Sequence, residues 1–245
     1  MRILIVDNSL DPAIYRPLNH WRPYLDGTVD VYRPPAGHFP PIPLAYTHVI
    51  ITGSEASITQ DDDWIVDECE LVQILAKGKI PVLASCFGHQ MVVRALSGKK
   101  FVHKTPTPEF GWVRVELDEF DGKDDPVFGA LPEEFHVYSS HFDEVEPLPE
   151  GWDVLGKSAR CENAMIKWRD SPIWGIQHHP EIGFDDGERL IAAMMERKPD
   201  QRELVMAGFE AQKRDDRVTG ILVRAFLDYL PEEQEAAEGD AAPGE

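Results

Sequence analysis

Residues 81–85, Pro-Val-Leu-Ala-Ser, run without a charge into Cys86, and a helical pattern spanning Met91 and Leu96 begins at once. An uninterrupted apolar run of this length predicts a strand buried on both faces, which in turn requires helices above and below a parallel sheet. Cys86 stands at the turn between strand and helix, flanked by small residues that a tight bend tolerates. Such an elbow holds a side chain clear of the sheet and beside a helix N-terminus, where free N–H groups and the helix dipole favour a thiolate. The stretch can also be read as a buried cysteine at a strand end, since a free thiol packs as a small hydrophobe.

The flanking sequence repeats the same alternation. Residues 2–7 form a second apolar run, 29–33 a further strand, and 48–52 the strand before Gly53-Ser54-Glu55-Ala56-Ser57. Five prolines between Pro34 and Pro43 force an extended loop. Asp61-Asp62-Asp63 is expected to cap and charge the start of a helix over 64–77, in which Ile65, Cys69, Val72 and Ala76 share one face, and Gly78 ends it. That face assigns Cys69 to the core. Strand, helix, strand, helix is the order of an α/β fold with a parallel sheet. Beyond Gly98 the period becomes two: short strands are predicted at 113–117, 135–138, 154–157, 164–168 and 173–177, in part antiparallel. Helical patterns cover 185–197, 202–213 and 218–230. Residues 231–245 carry six acids and no base and are expected to be disordered. No internal repeat is present.

Composition excludes some partners. The 24 basic and 44 acidic side chains give a formal charge of −20, which argues against nucleic acid and against an anionic membrane. No apolar run approaches the length of a membrane span, and residues 1–7 are too short for a signal-peptide core. Cys69, Cys86 and Cys161 are too few and too scattered for a disulfide framework or a cysteine-based zinc site, and they fit a reducing cytoplasm.

A thiol nucleophile needs a base, and the base needs an orienting group. Residues 173–181, Ile-Trp-Gly-Ile-Gln-His-His-Pro-Glu, end an apolar strand in an imidazole, a rigid proline and a carboxylate. The spacing turns His179 and Glu181 to one side, so that Glu181 can hold one ring nitrogen while the other faces Cys86. A metal pair at His178-His179, a polar cluster at a strand end, and a packed core histidine are competing readings. The metal is the weakest of them, because no further ligand stands at a suitable spacing.

Ser85-Cys86-Phe87-Gly88-His89-Gln90 together with Gln177-His178-His179-Pro180-Glu181 resembles the class I glutamine amidotransferases, whose motifs are Gly-x-Cys-x-Gly-His-Gln and Gln-Phe-His-Pro-Glu. Thr52-Gly53-Ser54-Glu55-Ala56-Ser57 resembles the family's oxyanion loop. Glu109-Phe110-Gly111-Trp112 resembles a segment of its stand-alone, GMP-synthase-like members, and Ser140-His141-Phe142-Asp143-Glu144-Val145 its Ser-His-x-Asp-x-Val segment. The resemblance runs from about residue 1 to residue 195. It implies a flavodoxin-like open sheet, mostly parallel at its core with an antiparallel β-rich part and helices on both faces. It implies an amidotransferase domain over 1–197, a C-terminal helical extension over 198–230 and the acidic tail over 231–245. It implies a cysteine thioester route that releases ammonia from the glutamine side-chain amide. Cys86, His179 and Glu181 would form the triad. Gly53, Ser54 and Phe87 would hold the oxyanion, and Gln90, Ser140 and His141 would contact the substrate, with no cofactor and no metal.

Two positions depart from the family pattern. Ala84 replaces the usual glycine, which is expected to narrow the space beside the elbow. His178 replaces phenylalanine, a packing or hydrogen-bonding substitution, and His89 is read as structural. The acceptor of the ammonia would be a separate synthetase polypeptide or none. In the latter case a free-standing γ-glutamyl hydrolase acting on another γ-linked amide shares the same triad. A non-catalytic regulatory or binding subunit is the third reading. The helices over 202–230 would cover a sheet edge, mediate a homodimer or add packing.

Overall fold

The first strand, β1 (Arg2–Val6), sends Leu4 and Val6 to one face and Ile3 and Ile5 to the other, and all four are fully buried. A strand buried on both faces must lie inside a sheet covered on both sides. The computed structural model, which describes residues 1–197, 199–208 and 215–231, places it there. In parallel with β1 run β2 (Thr28–Tyr32) and β3 (His48–Ile51), and β4 (Val82–Ser85) follows β3. The remaining strands are β5 (Val102–Leu117), β6 (Glu134–Val145), β7 (Trp152–Ser158), β8 (Met165–Trp168) and β9 (Ile173–Ile176). The nine strands form one sheet in the order β2-β1-β3-β4-β9-β8-β7-β5-β6. Strand β9 is the seam: it is parallel to β4 and antiparallel to β8.

The helices are α1 (Pro17–Trp21), α2 (Asp63–Lys77), α3 (Phe87–Ser97), α4 (Asp121–Asp124), α5 (Phe184–Arg197), α6 (Arg202–Gly208) and α7 (Val218–Asp228). On one face Ile65, Val72 and Leu75 of α2 and Met91 and Val92 of α3 pack against Leu4, Val6, Val49, Ile51 and Val82. On the other, Leu222, Val223 and Phe226 of α7 join Trp21 against Ile3, Ile5, Ile50, Leu83 and Trp174. The flavodoxin-like α/β arrangement expected from the sequence is thus present, with helices on both faces.

Several elements differ from expectation. The strands expected at 113–117 and 135–138 are parts of β5 and β6, which pair antiparallel along almost their whole length. Their register shifts between Lys104 and Glu109, where Pro106 and Pro108 interrupt the alternation, and that interruption hides the strand in the sequence. The acidic triplet does not cap α2: Asp62 at the N-cap makes no side-chain hydrogen bond to the helix. Asp61 instead accepts from Arg94 Nη2 at 2.8 Å and from Lys99, so its charge serves a cation of α3. Cys69 packs against the core as expected, half-buried, with Met91 Sδ at 3.6 Å, while Glu68 beside it is fully buried. Helix α6 ends at Gly208, and the rest of the helix expected over 202–213 lies outside the described residues, as does the acidic tail beyond Pro231. Among the described residues no helix is long and apolar enough to cross a membrane.

Phe226 is fully buried, edge-on to His48 at 5.1 Å and to Trp174 at 6.3 Å. Phe226→Ala is therefore expected to lower the unfolding free energy by about 3–5 kcal/mol. Chemical denaturation should show this loss in a single transition. A separate early transition of the mutant would mark α7 as an appendage to an independent domain.

Candidate active site

The C-terminal ends of β1, β3, β4 and β9 lie side by side, and each delivers a polar residue to the same edge of the sheet. After β4, Cys86 turns the chain into α3 with φ 50° and ψ −108°, a conformation that residues with a Cβ rarely adopt. Its N–H donates to Ile176 O of β9 at 2.9 Å, which fixes the elbow to the seam strand. Its sulfur lies 4.0 Å from Ser140 O of β6.

Beyond β9 the chain continues through Gln177 and His178 to His179, whose N–H donates to Tyr138 O of β6 at 2.8 Å. The His179 ring lies close enough to Cys86 for the sulfur to raise its pKa, and it places Nδ1 2.9 Å from Glu181 Oε1. Tyr15 donates its hydroxyl to the same Glu181 oxygen at 2.7 Å. The ring also turns its Cε1 edge to Gly53. A Cβ there would stand 2.4 Å from His179 Cε1, so only glycine fits at this position in the loop.

The electrostatics follow from burial and partners. Burial alone would drive His179 to its neutral form. Cys86 and Glu181 on either side outweigh that penalty and hold its pKa up at about 10. Glu181 is buried as well, yet His179 and the Tyr15 hydroxyl keep it below the usual carboxylate value. Away from the site, burial pushes the Cys69 thiol up to about 11, and Cys161 further upward. His89 sits behind the elbow against Gly175, and burial pushes its pKa down to about 3.

These groups face a cavity of about 480 Å³. Cys86, Phe87, Ser54, Gln90, Ser140, His141 and His179 line it. Gly53 is placed beside it through its contact with the imidazole. Gln90 and His141 have their polar atoms held by the protein. Gln90 Nε2 donates to Asp143 O at 2.6 Å, and His141 lies 3.1 Å from that oxygen and 3.4 Å from Glu109 Oε2. Ala84 packs in the core on the α2 and α3 face and is not among the lining residues, so the expected narrowing of the cavity does not occur. His178 is fully buried, and its Nε2 lies 3.1 Å from Glu109 Oε2. It therefore substitutes for an aromatic ring by packing and hydrogen bonding. Among the described residues no cluster of His, Cys, Asp and Glu has an arrangement that could hold a metal.

Three contributors were given no role from the sequence, although Asp143 stands in the Ser-His-x-Asp-x-Val segment. Tyr15 lies in a proline- and aspartate-rich loop whose only signal is an aromatic among polar residues. Asp143 lines the cavity, accepts from Ser57 Oγ at 2.5 Å and Ile58 N at 3.0 Å, and keeps Oδ1 buried without a partner. Glu68 supports the Gly53 loop from below. It accepts from Asn8 Nδ2 at 2.8 Å, Asn8 N donates to Thr52 Oγ1 at 3.0 Å, and Thr52 Oγ1 donates to Gly53 O at 3.2 Å.

The sequence profile described as glutamine amidotransferase class-I matches residues 29–194, more than half of the chain. The chain belongs to the class-I glutamine amidotransferase family. The glutamine-hydrolyzing GMP synthase of Thermosipho africanus is 38% identical over 134 residues, which cover 55% of this chain and 24% of that protein. One subunit of the glutamine-hydrolyzing GMP synthase of Methanocaldococcus jannaschii is 34% identical over 115 residues, covering 47% of this chain and 58% of that one. The match thus spans less than three fifths of either relative. A crystal structure of a glutamine amidotransferase from Thermotoga maritima shares the fold with a TM-score of 0.73 at 23% identity, covering 93% of this chain and 96% of that one.

Glu68 yields a pH-dependent expectation. Burial raises its pKa from 4.5 to about 8, opposed only by the Asn8 hydrogen bond. An acid whose folded pKa is raised contributes stability that is complete below its unfolded value and is lost as pH rises towards the folded one. Glu68→Gln, which cannot ionise, should gain stability relative to wild type as pH rises from 4.5 to about 8 and stay level above that. Denaturation midpoints of the two proteins across that range would measure it, and a pH-independent difference would contradict it.

Proposed function

We propose that the chain hydrolyses the side-chain amide of glutamine through Cys86, His179 and Glu181. The observation that carries this reading is that Cys86 and His179 line one cavity, with the His179 ring held by Glu181 at 2.9 Å. The raised imidazole pKa keeps a proton on His179 beside the Cys86 sulfur, where a leaving group can take it. The thiolate would attack the γ-carboxamide carbon. The oxyanion would be held by backbone N–H groups at Gly53, Ser54 and Phe87. The Phe87 N–H lies in the first turn of α3 and has no partner within the helix. His179 would give its proton to the departing ammonia and then take one from the water that opens the thioester, while Glu181, itself held by Tyr15, fixes the ring.

The zwitterionic end of the substrate would lie at the β6 side of the cavity, bounded by Gln90, Ser140 and His141. The unpartnered Asp143 Oδ1 suits the α-ammonium, and Lys104 suits the α-carboxylate. Two of the relatives are named glutamine-hydrolyzing GMP synthases, and one of those names denotes a single subunit of the enzyme, which supports an ammonia acceptor on a separate synthetase polypeptide.

Ammonia release from glutamine is expected to fall by at least about 10³-fold in Cys86→Ala and in His179→Ala, and by less in Glu181→Gln, because a nucleophile and its base act as a unit. Residual activity equal to wild type in Cys86→Ala would sink the mechanism.

A further inference from the structure

The cavity lining is mixed: Lys104, His141, Asp143 and Arg197 are ionisable, whereas Ile14, Tyr15, Ile182, Leu190 and Met194 form an apolar wall, with Met194 Sδ 3.9 Å from Ser140 Oγ of β6. These five belong to, or pack against, one apolar cluster with Trp112 and Tyr138 at its centre.

The nitrogen that leaves a carboxamide must lie within hydrogen-bond reach of the acid that protonates it. On the function proposed above, on which this inference rests, any group carried by that nitrogen therefore lies on the His179 side of Cys86. That side carries apolar groups. The Tyr15 ring meets His179 edge-on at 5.8 Å, the Tyr138 ring lies at 6.1 Å, and Ile182 N–H donates to His179 O at 3.2 Å. Departing ammonia is small and polar and needs no such wall. The volume of about 480 Å³ also falls within the ~300–1,000 Å³ of sites for drug-sized ligands, more than glutamine alone fills.

The wall is built firmly. Helix α5 lies so close to the sheet at Gly187 that a Cβ there would stand 2.5 Å from the Trp112 ring. Arg197 at its end donates to Asp11 Oδ2 at 2.7 Å, and His20 lies 3.3 Å from Asp186 near its start. These contacts join α5 to the segment that carries Ile14 and Tyr15. Ile14, Tyr15 and Arg197 all fall outside residues 29–194, the part matched by the family profile.

We propose that the preferred substrate is a γ-glutamyl amide whose nitrogen carries an apolar aliphatic or aromatic group, seated against Ile14, Tyr15, Ile182, Leu190 and Met194. The Cys86 sulfur bonds to the γ-carbon, the carbon–nitrogen bond breaks, and a primary amine departs with the proton from His179. Water then opens the thioester to free glutamate and restores the thiol.

The test compares kcat/KM for L-glutamine and γ-L-glutamylbenzylamide by glutamate release from the full chain. A matched apolar pocket discriminates by roughly 10- to 200-fold, so the benzylamide should be preferred by at least about tenfold. Leu190→Asn and Met194→Gln each alter a half-buried side chain of the wall and should shrink that preference by about tenfold, at unchanged melting temperature. A preference for glutamine, or a preference unchanged in both variants, overturns the apolar subsite and leaves the Cys86 chemistry standing. Turnover of neither compound by the wild type overturns the proposed function as well.

Discussion

The hydrogen bond from Cys86 N–H to Ile176 O continues the ladder between β4 and β9, and the candidate site depends on it. The pairing of Ser85 with Ile176 sets how far each chain runs beyond the sheet before it presents a functional side chain. A slip of one residue would turn every side chain of the strand to the opposite face. The site is therefore specified by two strands whose inward and outward residues are all buried, so each face of the sheet resists such a slip independently.

Histidines illustrate how one side chain acquires different properties in a small space. His89 has burial and little else, and its pKa falls to about 3. His178 is equally enclosed, and burial lowers its pKa although Glu109 pulls the other way. His179 stands between a sulfur and a carboxylate, and its pKa rises to about 10. Glu109 shares its charge between His141 and His178, which keep it ionised against the cost of burial. Depth decides at His89 and His178, and partners override it at His179 and Glu109.

The parallel half of the fold and the elbow were legible in the sequence because a strand buried on both faces leaves an uninterrupted apolar run. The pair His179 and Glu181 was legible because a proline fixes their relative direction over a short distance. Long-range features were not. The antiparallel β5–β6 pair is interrupted by Pro106 and Pro108, and its alternation fails where the register shifts. The buried pairing of Glu68 with Asn8 joins residues 60 positions apart, and no local pattern announces it. Tyr15 reaches Glu181 across 166 positions of chain, and no local pattern records that contact. Ala84 looked like a pocket residue from its place two positions before Cys86, but it lies within β4, before the turn, and its methyl group packs in the core.

The backbone at Cys86 bears on which sequences this elbow can accept. With φ at 50°, the position already strains a residue carrying a Cβ, and a second heavy atom on that carbon would meet the neighbouring peptide groups. Threonine is thereby shut out on steric grounds alone, before its reactivity is considered. Over evolutionary time the repertoire at this apex narrows to unbranched, compact side chains. A drift from sulfur to oxygen chemistry could pass only through serine.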